Sequence, residues 1–303
     1  MILTGRNIVV GYDDTTAAMA AVRWGAELAR STASGLHLVH AWTWPLLGQG
    51  MSAIPVLDPA GPRNQASRLL DEAAERIAAQ FPDVPVTSEL LSGMPREALE
   101  EISGRTGLLV VGTRGLGPVL GTLLGSVSRG ILHDAGCPVA VIRSEQHRAG
   151  PVLAAYDGSE EAGQAVDVAA DLAMAWGIPL RVIHVRTSAH APYTGGAEAW
   201  SAGSRSRGVL DEGAARAGSR QPDLVIQSRM LEDRTVAEGL LTAAAGARML
   251  VIGHRGASRG RFGSTAQATV LHATGNVTVV RGRGGAGAGD AGEDMRQDGA
   301  DVM

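Results

Sequence analysis

The chain repeats itself. Within its 303 residues, IVVGYDDTTAAMAAVRWGAELARSTASGLHLVHAW from Ile8 aligns without a gap with VLAAYDGSEEAGQAVDVAADLAMAWGIPLRVIHVR from Val152, at an offset of 144. Asp13 meets Asp157, Leu36 meets Leu180 and His40 meets His184. LLVVGTRG, ending at Gly115, then meets MLVIGHRG, ending at Gly256, at an offset of 141. GSVSRGILHDAGCPVAVIR from Gly125 meets GSTAQATVLHATGNVTVVR from Gly263, at an offset of 138. Three matches in one order define two homologous domains. The junction falls in SEQHRAG, giving domains at 1–146 and 147–282. Residues 283–303 are rich in Gly, Asp and Glu, and this composition predicts a disordered tail.

Each half alternates strand and helix. In the first, NIVVG at 7–11 is a short apolar run suited to a strand buried on both faces. An Ala-rich helix is expected over 15–31, with Thr15 or Thr16 as its cap. LHLVHAW is the second strand, 43–62 a loop rich in Pro and Gly, and 64–80 a helix. VTSELL, a helix over 95–104 opened by Pro95, and LLVVG follow. A Gly-rich loop leads to a helix from Ser126 and to the strand PVAVIR. The expected fold class is α/β: two homologous, doubly wound, parallel five-stranded sheets.

Composition excludes several chemistries. There is no lysine; all 27 basic residues are arginine. A Walker A loop, a Schiff-base enzyme and a kinase with a strand-borne lysine are therefore excluded in standard form. The formal charge of −4 argues against nucleic acid as a partner. No run of about 18 apolar residues predicts a membrane span, and no leader is expected. Cys137 is the lone cysteine, so no disulfide within the chain and no cysteine zinc cluster is expected. These features predict a cytoplasmic protein.

In doubly wound sheets, ligands bind beyond the carboxyl ends of the strands, where the winding reverses. The first half carries Gly11 and Asp13 after strand one. After strand four it carries Gly112, Thr113, Arg114 and Gly115, then nine residues before Gly125 and Ser126. Glycines let the backbone approach a ligand, successive N–H groups form an anion-binding concavity, and a helix opening at Ser126 adds its positive end. Together these suit a polyphosphate without any lysine.

At this point the sequence resembles the universal stress protein family. G-x2-G-x9-G-S resembles the family's nucleotide loop, and VVGTRG, LLGSVS, CPVAVIR, VVGYDD and AAYDGS are similar to its surrounding segments. The likeness runs over 6–281 and implies a tandem member, adenine nucleotide alpha-hydrolase-like in fold. It implies ATP with Mg²⁺: Asp13 by ribose and phosphates, Ala41 by the base, and Gly112 to Gly117, including Leu116, around ribose and phosphates. Gly125, Ser126 and Val127 would hold the phosphates. The matching second-half positions are Asp157, Val185, Gly253, Arg255, Gly256, Gly263, Ser264 and Thr265. The family's fifth strands commonly pair, which implies a homodimer or an intramolecular pseudo-dimer through Val139–Ile142 and Val277–Val280. The implied role is an ATP-binding regulator of the stress response, not an enzyme, with at most slow hydrolysis. The alternative is a structural or partner-binding member with degenerate pockets.

Three departures bear on that alternative. Asp14 and Thr15 stand where the family has Gly-Ser. Ala155 replaces Gly11. Only six residues separate Gly256 from Gly263, a deletion expected to move the loop amides by several ångströms unless the loop closes differently. Gly256-Ala-Ser258-Arg-Gly260 imitates a hydrolase elbow, but its strand ends too early, at Gly253. His40 and His184 read as strand-end residues held by the fold, and His133 and His272 as helix surface. His254, in place of Thr113, could approach a phosphate. Trp42 and Trp44 read as packing, and Cys137 as a core residue.

Overall fold

The computed structural model describes residues 7–43, 60–113, 125–144, 149–187, 197–256 and 263–282. The expected loop over Arg114 to Gly117, the Ser258 elbow, Trp44 and the 283–303 tail lie outside them.

The first half runs β1 (Ile8–Gly11), α1 (Thr16–Thr32), β2 (Leu36–Trp42), α2 (Ala60–Gln80), β3 (Val86–Ser92), α3 (Pro95–Ser103), β4 (Leu108–Gly112), α4 (Ser126–Asp134) and β5 (Val139–Ile142). The second runs β6 (Val152–Ala155), α5 (Glu160–Trp176), β7 (Leu180–Thr187), α6 (Ala197–Arg220), β8 (Ile226–Asp233), α7 (Val236–Ala244), β9 (Met249–Gly253), α8 (Ser264–His272) and β10 (Val277–Val280). The one difference of note from the sequence reading is α2, which begins at Ala60 rather than 64. Pro62 sits in its first turn, where a missing N–H costs the helix nothing.

The strands form one sheet in the order β3-β2-β1-β4-β5-β10-β9-β6-β7-β8. Pairing is parallel within each half. At the centre β5 and β10 run antiparallel, with Val139 opposite Val279 and Val141 opposite Val277. The fifth strands thus pair within the chain, as a pseudo-dimer, and each satisfies the edge the other would leave open. Asn276 reinforces the seam: its Oδ1 accepts from the Arg143 N–H at 2.8 Å and its Nδ2 donates to the Ser144 carbonyl at 3.1 Å.

Alternate residues of the short strands face opposite sides, so both faces need cover. Ile8, Val10, Leu108 and Val110 pack under α1 and α2, and the corresponding second-half residues under α5 and α6. Val9, Leu109 and Val111 pack under α3 and α4, with α7 and α8 beyond. On the first face the halves also meet through Trp24 and Trp176, edge to face with centroids 5.8 Å apart. The Arg248 guanidinium lies 4.4 Å above the Trp176 ring. Cys137 is buried, and burial pushes its thiol up to about 12, in line with a core residue rather than a nucleophile.

Both leading helices are capped alike. The Thr15 hydroxyl accepts from the Ala18 N–H at 3.1 Å, and the Ser159 hydroxyl from the Ala162 N–H at 3.2 Å. At their far ends Ala33 (φ 50°) takes the left-handed conformation that Gly177 (φ 62°) takes in the second half.

Candidate functional site

Two cavities open at the carboxyl ends of the strands, one per half. The first, of about 160 Å³, is lined from β1 and its turn by Gly11, Tyr12, Asp13 and Thr15, and from β2 by Val39, His40 and Ala41. Pro95 and Leu99 of α3, then Val111, Gly112, Thr113, Gly125, Val127 and Ser128, complete it with Ala18. The second, of about 320 Å³, is lined in large part by the matching residues. Ala155, Tyr156 and Asp157 stand for the first strand, Ile183, His184 and Val185 for the second, and Val236 and Leu240 for α3. Ile252, Gly253, Arg255, Gly256, Gly263, Ser264, Thr265 and Ala266 form its loop side. Each cavity has an apolar wall together with the glycine-bearing end of the fourth strand and a helix N-terminus. That is a slot for a flat apolar group with an anionic tail.

The acidic residue at each mouth is held by the helix cap. Asp13 Oδ1 accepts from the Thr15 hydroxyl at 2.6 Å and the Thr15 N–H at 3.3 Å. Asp157 Oδ1 accepts from the Ser159 hydroxyl at 2.6 Å and the Ser159 N–H at 3.0 Å. One short motif therefore starts the helix and aims the carboxylate. Asp14, at φ 62°, occupies the left-handed position that Gly158 (φ 85°) fills in the second half. Its Oδ1 accepts from the Tyr12 hydroxyl at 3.0 Å, and it does not line the cavity. Burial, with that hydrogen bond, pushes the Tyr12 hydroxyl up to about 12. Burial, with a hydrogen bond to Glu212, does the same for Tyr156.

The histidines at the end of β2 and β7 are held by the fold and also line the cavities. His40 Nδ1 lies 2.7 Å from the Tyr12 carbonyl, and His184 Nδ1 lies 2.8 Å from the Tyr156 carbonyl. A carbonyl only accepts, so Nδ1 carries the proton and the Nε2 of the neutral ring is an acceptor.

Of the first-half candidates, Gly11, Asp13, Ala41, Gly112, Thr113, Gly125 and Val127 line the cavity; Ser126, the first residue of α4, is exposed and does not. Arg114, Gly115, Leu116 and Gly117 lie outside the described residues. All eight second-half candidates, from Asp157 to Thr265, line theirs. Beside the shortened loop, the Gly263 N–H donates to the His254 carbonyl at 3.0 Å, which ties the start of α8 to the end of β9. Gly11 needs no special backbone there; a Cβ on it would lie in ordinary contact, 3.5 Å from Leu99, and Ala155 is its counterpart.

One expectation is corrected. His254 does not face its cavity; it is 2% exposed, with its ring centroid 6.3 Å from that of His133 on α4. Burial, then the charges of Arg255 and Arg281, depress it to about 4, so it packs neutral between the halves. The sequence reading passed over the apolar walls. Pro95 and Leu99 recur as Val236 and Leu240 at the same 141-residue offset as the strand that follows, and that regularity could have found them.

Among the described residues no helix is long and apolar enough to cross a membrane, and no group of three or more His, Cys, Asp or Glu could hold a metal ion.

The universal stress protein family model matches residues 5–143 and again 149–281. A universal stress protein of Mycobacterium tuberculosis is 31% identical over 290 residues, covering 91% of this chain and 96% of the relative. Another from the same species is 30% identical over 257 residues, covering 82% and 86%. The crystal structure of a universal stress protein from Archaeoglobus fulgidus superposes with a TM-score of 0.70 at 19% identity, over 91% of this chain and 98% of that one.

Proposed function

This chain belongs to the universal stress protein family, as two such domains in tandem, and we propose that it is a cytoplasmic, ATP-binding regulator of the stress response. Nucleotide occupancy would set its conformation or its association with other molecules. The observation that carries this reading is the duplicated cavity. The same positions in both halves build an apolar wall, a carboxylate fixed by a helix cap, and glycines at the end of the fourth strand and before a helix N-terminus. The wall suits adenine and the loop suits phosphates.

Mg²⁺ fits as part of the nucleotide. Each mouth offers one fixed carboxylate, Asp13 or Asp157, and Mg²⁺ commonly takes one or two carboxylates together with phosphate oxygens. Bound there, it would neutralise phosphate charge. We read the protein as a binder rather than a metabolic enzyme. The carboxylate beside each cavity already accepts two hydrogen bonds, and each histidine, held through Nδ1 by a carbonyl, keeps only its Nε2 as an acceptor, the one ring atom there that could take a proton. Slow hydrolysis of ATP is compatible with this arrangement.

Because β5 and β10 already pair, any association between copies uses other surfaces. Sedimentation and small-angle scattering with and without saturating Mg·ATP test the regulatory step. A change in sedimentation coefficient or radius of gyration is expected. Identical profiles at demonstrated saturation would instead favour a structural, partner-binding role.

A further inference from the structure

Away from both cavities, toward the amino ends of the strands, β2 and β3 bring three side chains into a row. β3 is the edge of the ten-stranded sheet, and His37 of β2 stands opposite its Thr87. His37 Nδ1 lies 2.8 Å from Thr87 Oγ1, and His37 Nε2 lies 3.0 Å from Glu89 Oε2. Arg105 Nη2 stands 3.8 Å from that same oxygen, so the carboxylate sits between a cation and the ring. The His37 side chain is 17% exposed, whereas Thr87 is open to solvent.

The protons of this row have one consistent arrangement. A carboxylate only accepts, so Nε2 of the neutral ring carries the proton toward Glu89. Nδ1 is then an acceptor, and the Thr87 hydroxyl is the donor beside it. The Leu36 carbonyl, at 3.5 Å, is the longer and weaker alternative for that hydroxyl. A threonine hydroxyl is a weak nucleophile until a base takes its proton. A base within hydrogen-bond reach, itself oriented by a third group, is the arrangement that activates it. The fold does not require this trio. At the matching register positions the second half pairs Arg181 with Gln227, at 2.8 and 3.0 Å, and Arg229 stands where Glu89 does.

We propose that Thr87 is an acyl-acceptor site, taking an acyl group from a small activated donor, an acyl phosphate or an aryl ester. Thr87 Oγ bonds to the donor's carbonyl carbon, and the bond from that carbon to the leaving oxygen breaks. The hydroxyl proton passes to His37 Nδ1, the leaving group departs as the phosphate or phenolate anion, and the imidazolium returns its proton to water. His37 is the base, and Glu89 is a positioning residue that fixes its tautomer. The product is an ester on an exposed edge strand, and the site is independent of the two cavities. With no lysine in the chain, side-chain amines do not compete for the acyl group.

The test is incubation of the full chain with p-nitrophenyl acetate and, separately, with acetyl phosphate, followed by intact mass and peptide mapping. One acetyl group on Thr87 is expected, and the donor that delivers it shows which leaving group the site accepts. His37→Gln is expected to slow this acetylation by about a hundredfold, the low end of what a positioned base contributes. Thr87→Ser should keep the reaction and Thr87→Val abolish it. In Glu89→Ala the rate should fall while the nitrogen NMR signals of the His37 ring lose their preference for the Nε2-protonated tautomer. Circular dichroism melts establish that the variants are folded, and the adduct map of the parent needs none of them. Acetyl groups scattered over surface hydroxyls without preference for Thr87, or none at all from either donor, overturn the proposal. So does a Thr87 rate that is unchanged in folded His37→Gln.

Discussion

Replacing Asp171 with alanine is expected to lower the unfolding free energy by about 3–5 kcal/mol, the cost of breaking a buried ion pair from one side. Asp171 lies on α5 and is fully buried. Its Oδ1 accepts from Arg220 Nε at 3.0 Å and Gln221 Nε2 at 2.8 Å, and its Oδ2 accepts from Arg220 Nη2 at 2.8 Å. The fork geometry is bidentate, the form in which arginine and carboxylate bind best. That hydrogen bond pushes the Arg220 guanidinium above its usual range. One turn earlier, Arg216 grips Asp167 in the same way at 2.9 and 2.6 Å, so α5 and α6 are joined by a two-rung ladder. Truncating Asp171 leaves the largely buried Arg220 guanidinium without its bidentate partner. Asp171→Asn keeps an oxygen for the donors and should lose less. Urea unfolding of both variants checks this; a loss below about 1 kcal/mol in Asp171→Ala would contradict the burial argument.

Gly112→Ala is expected to cost about 2 kcal/mol through overpacking and to weaken nucleotide binding at the first cavity. A Cβ on Gly112 would lie 2.6 Å from the Ala17 carbonyl oxygen, 2.7 Å from its carbon and 2.9 Å from the Ala18 nitrogen. All three are backbone atoms of the first turn of α1, so none can swing aside. The end of β4 and the start of α1 would have to separate, and both line the cavity. Gly253→Ala, at the matching place, meets the Arg255 oxygen at 2.9 Å and α5 atoms only at 3.2 Å, so it should cost less. Denaturant titration together with ATP binding distinguishes the two variants. Equal stability of Gly112→Ala and the parent would show that this contact does not hold the site together.

Much of this was legible because the chain was written twice. Chance similarity does not preserve three segments in order, so the repeat marked the two halves and the matching positions of Asp13 and Asp157, while the pairing of the fifth strands was an expectation drawn from the family resemblance. The remainder depends on contacts that the repeat does not carry. Asp171 and Arg220 align with Glu27 and Gln80, so their pairing has no echo in the first half. Glu161 aligns with Ala17, and its hydrogen bond to the Arg255 N–H joins residues far apart in sequence, a contact that spacing alone does not fix. His254 aligns with Thr113, a cavity residue, yet turns inward because the centre of the joined sheet offers it His133 and a buried site. Repetition shows what the halves share; the differences had to be read from the packing.

The claim at the centre of this account is that a glycine loop and a helix N-terminus, without lysine, hold the phosphates of an adenine nucleotide. Isothermal titration of the intact protein with Mg·ATP tests it most directly. The account predicts saturable binding, weakened at the first cavity in Gly112→Ala. No binding at millimolar Mg·ATP or AMP would contradict it and leave the paired domains as a scaffold for protein partners.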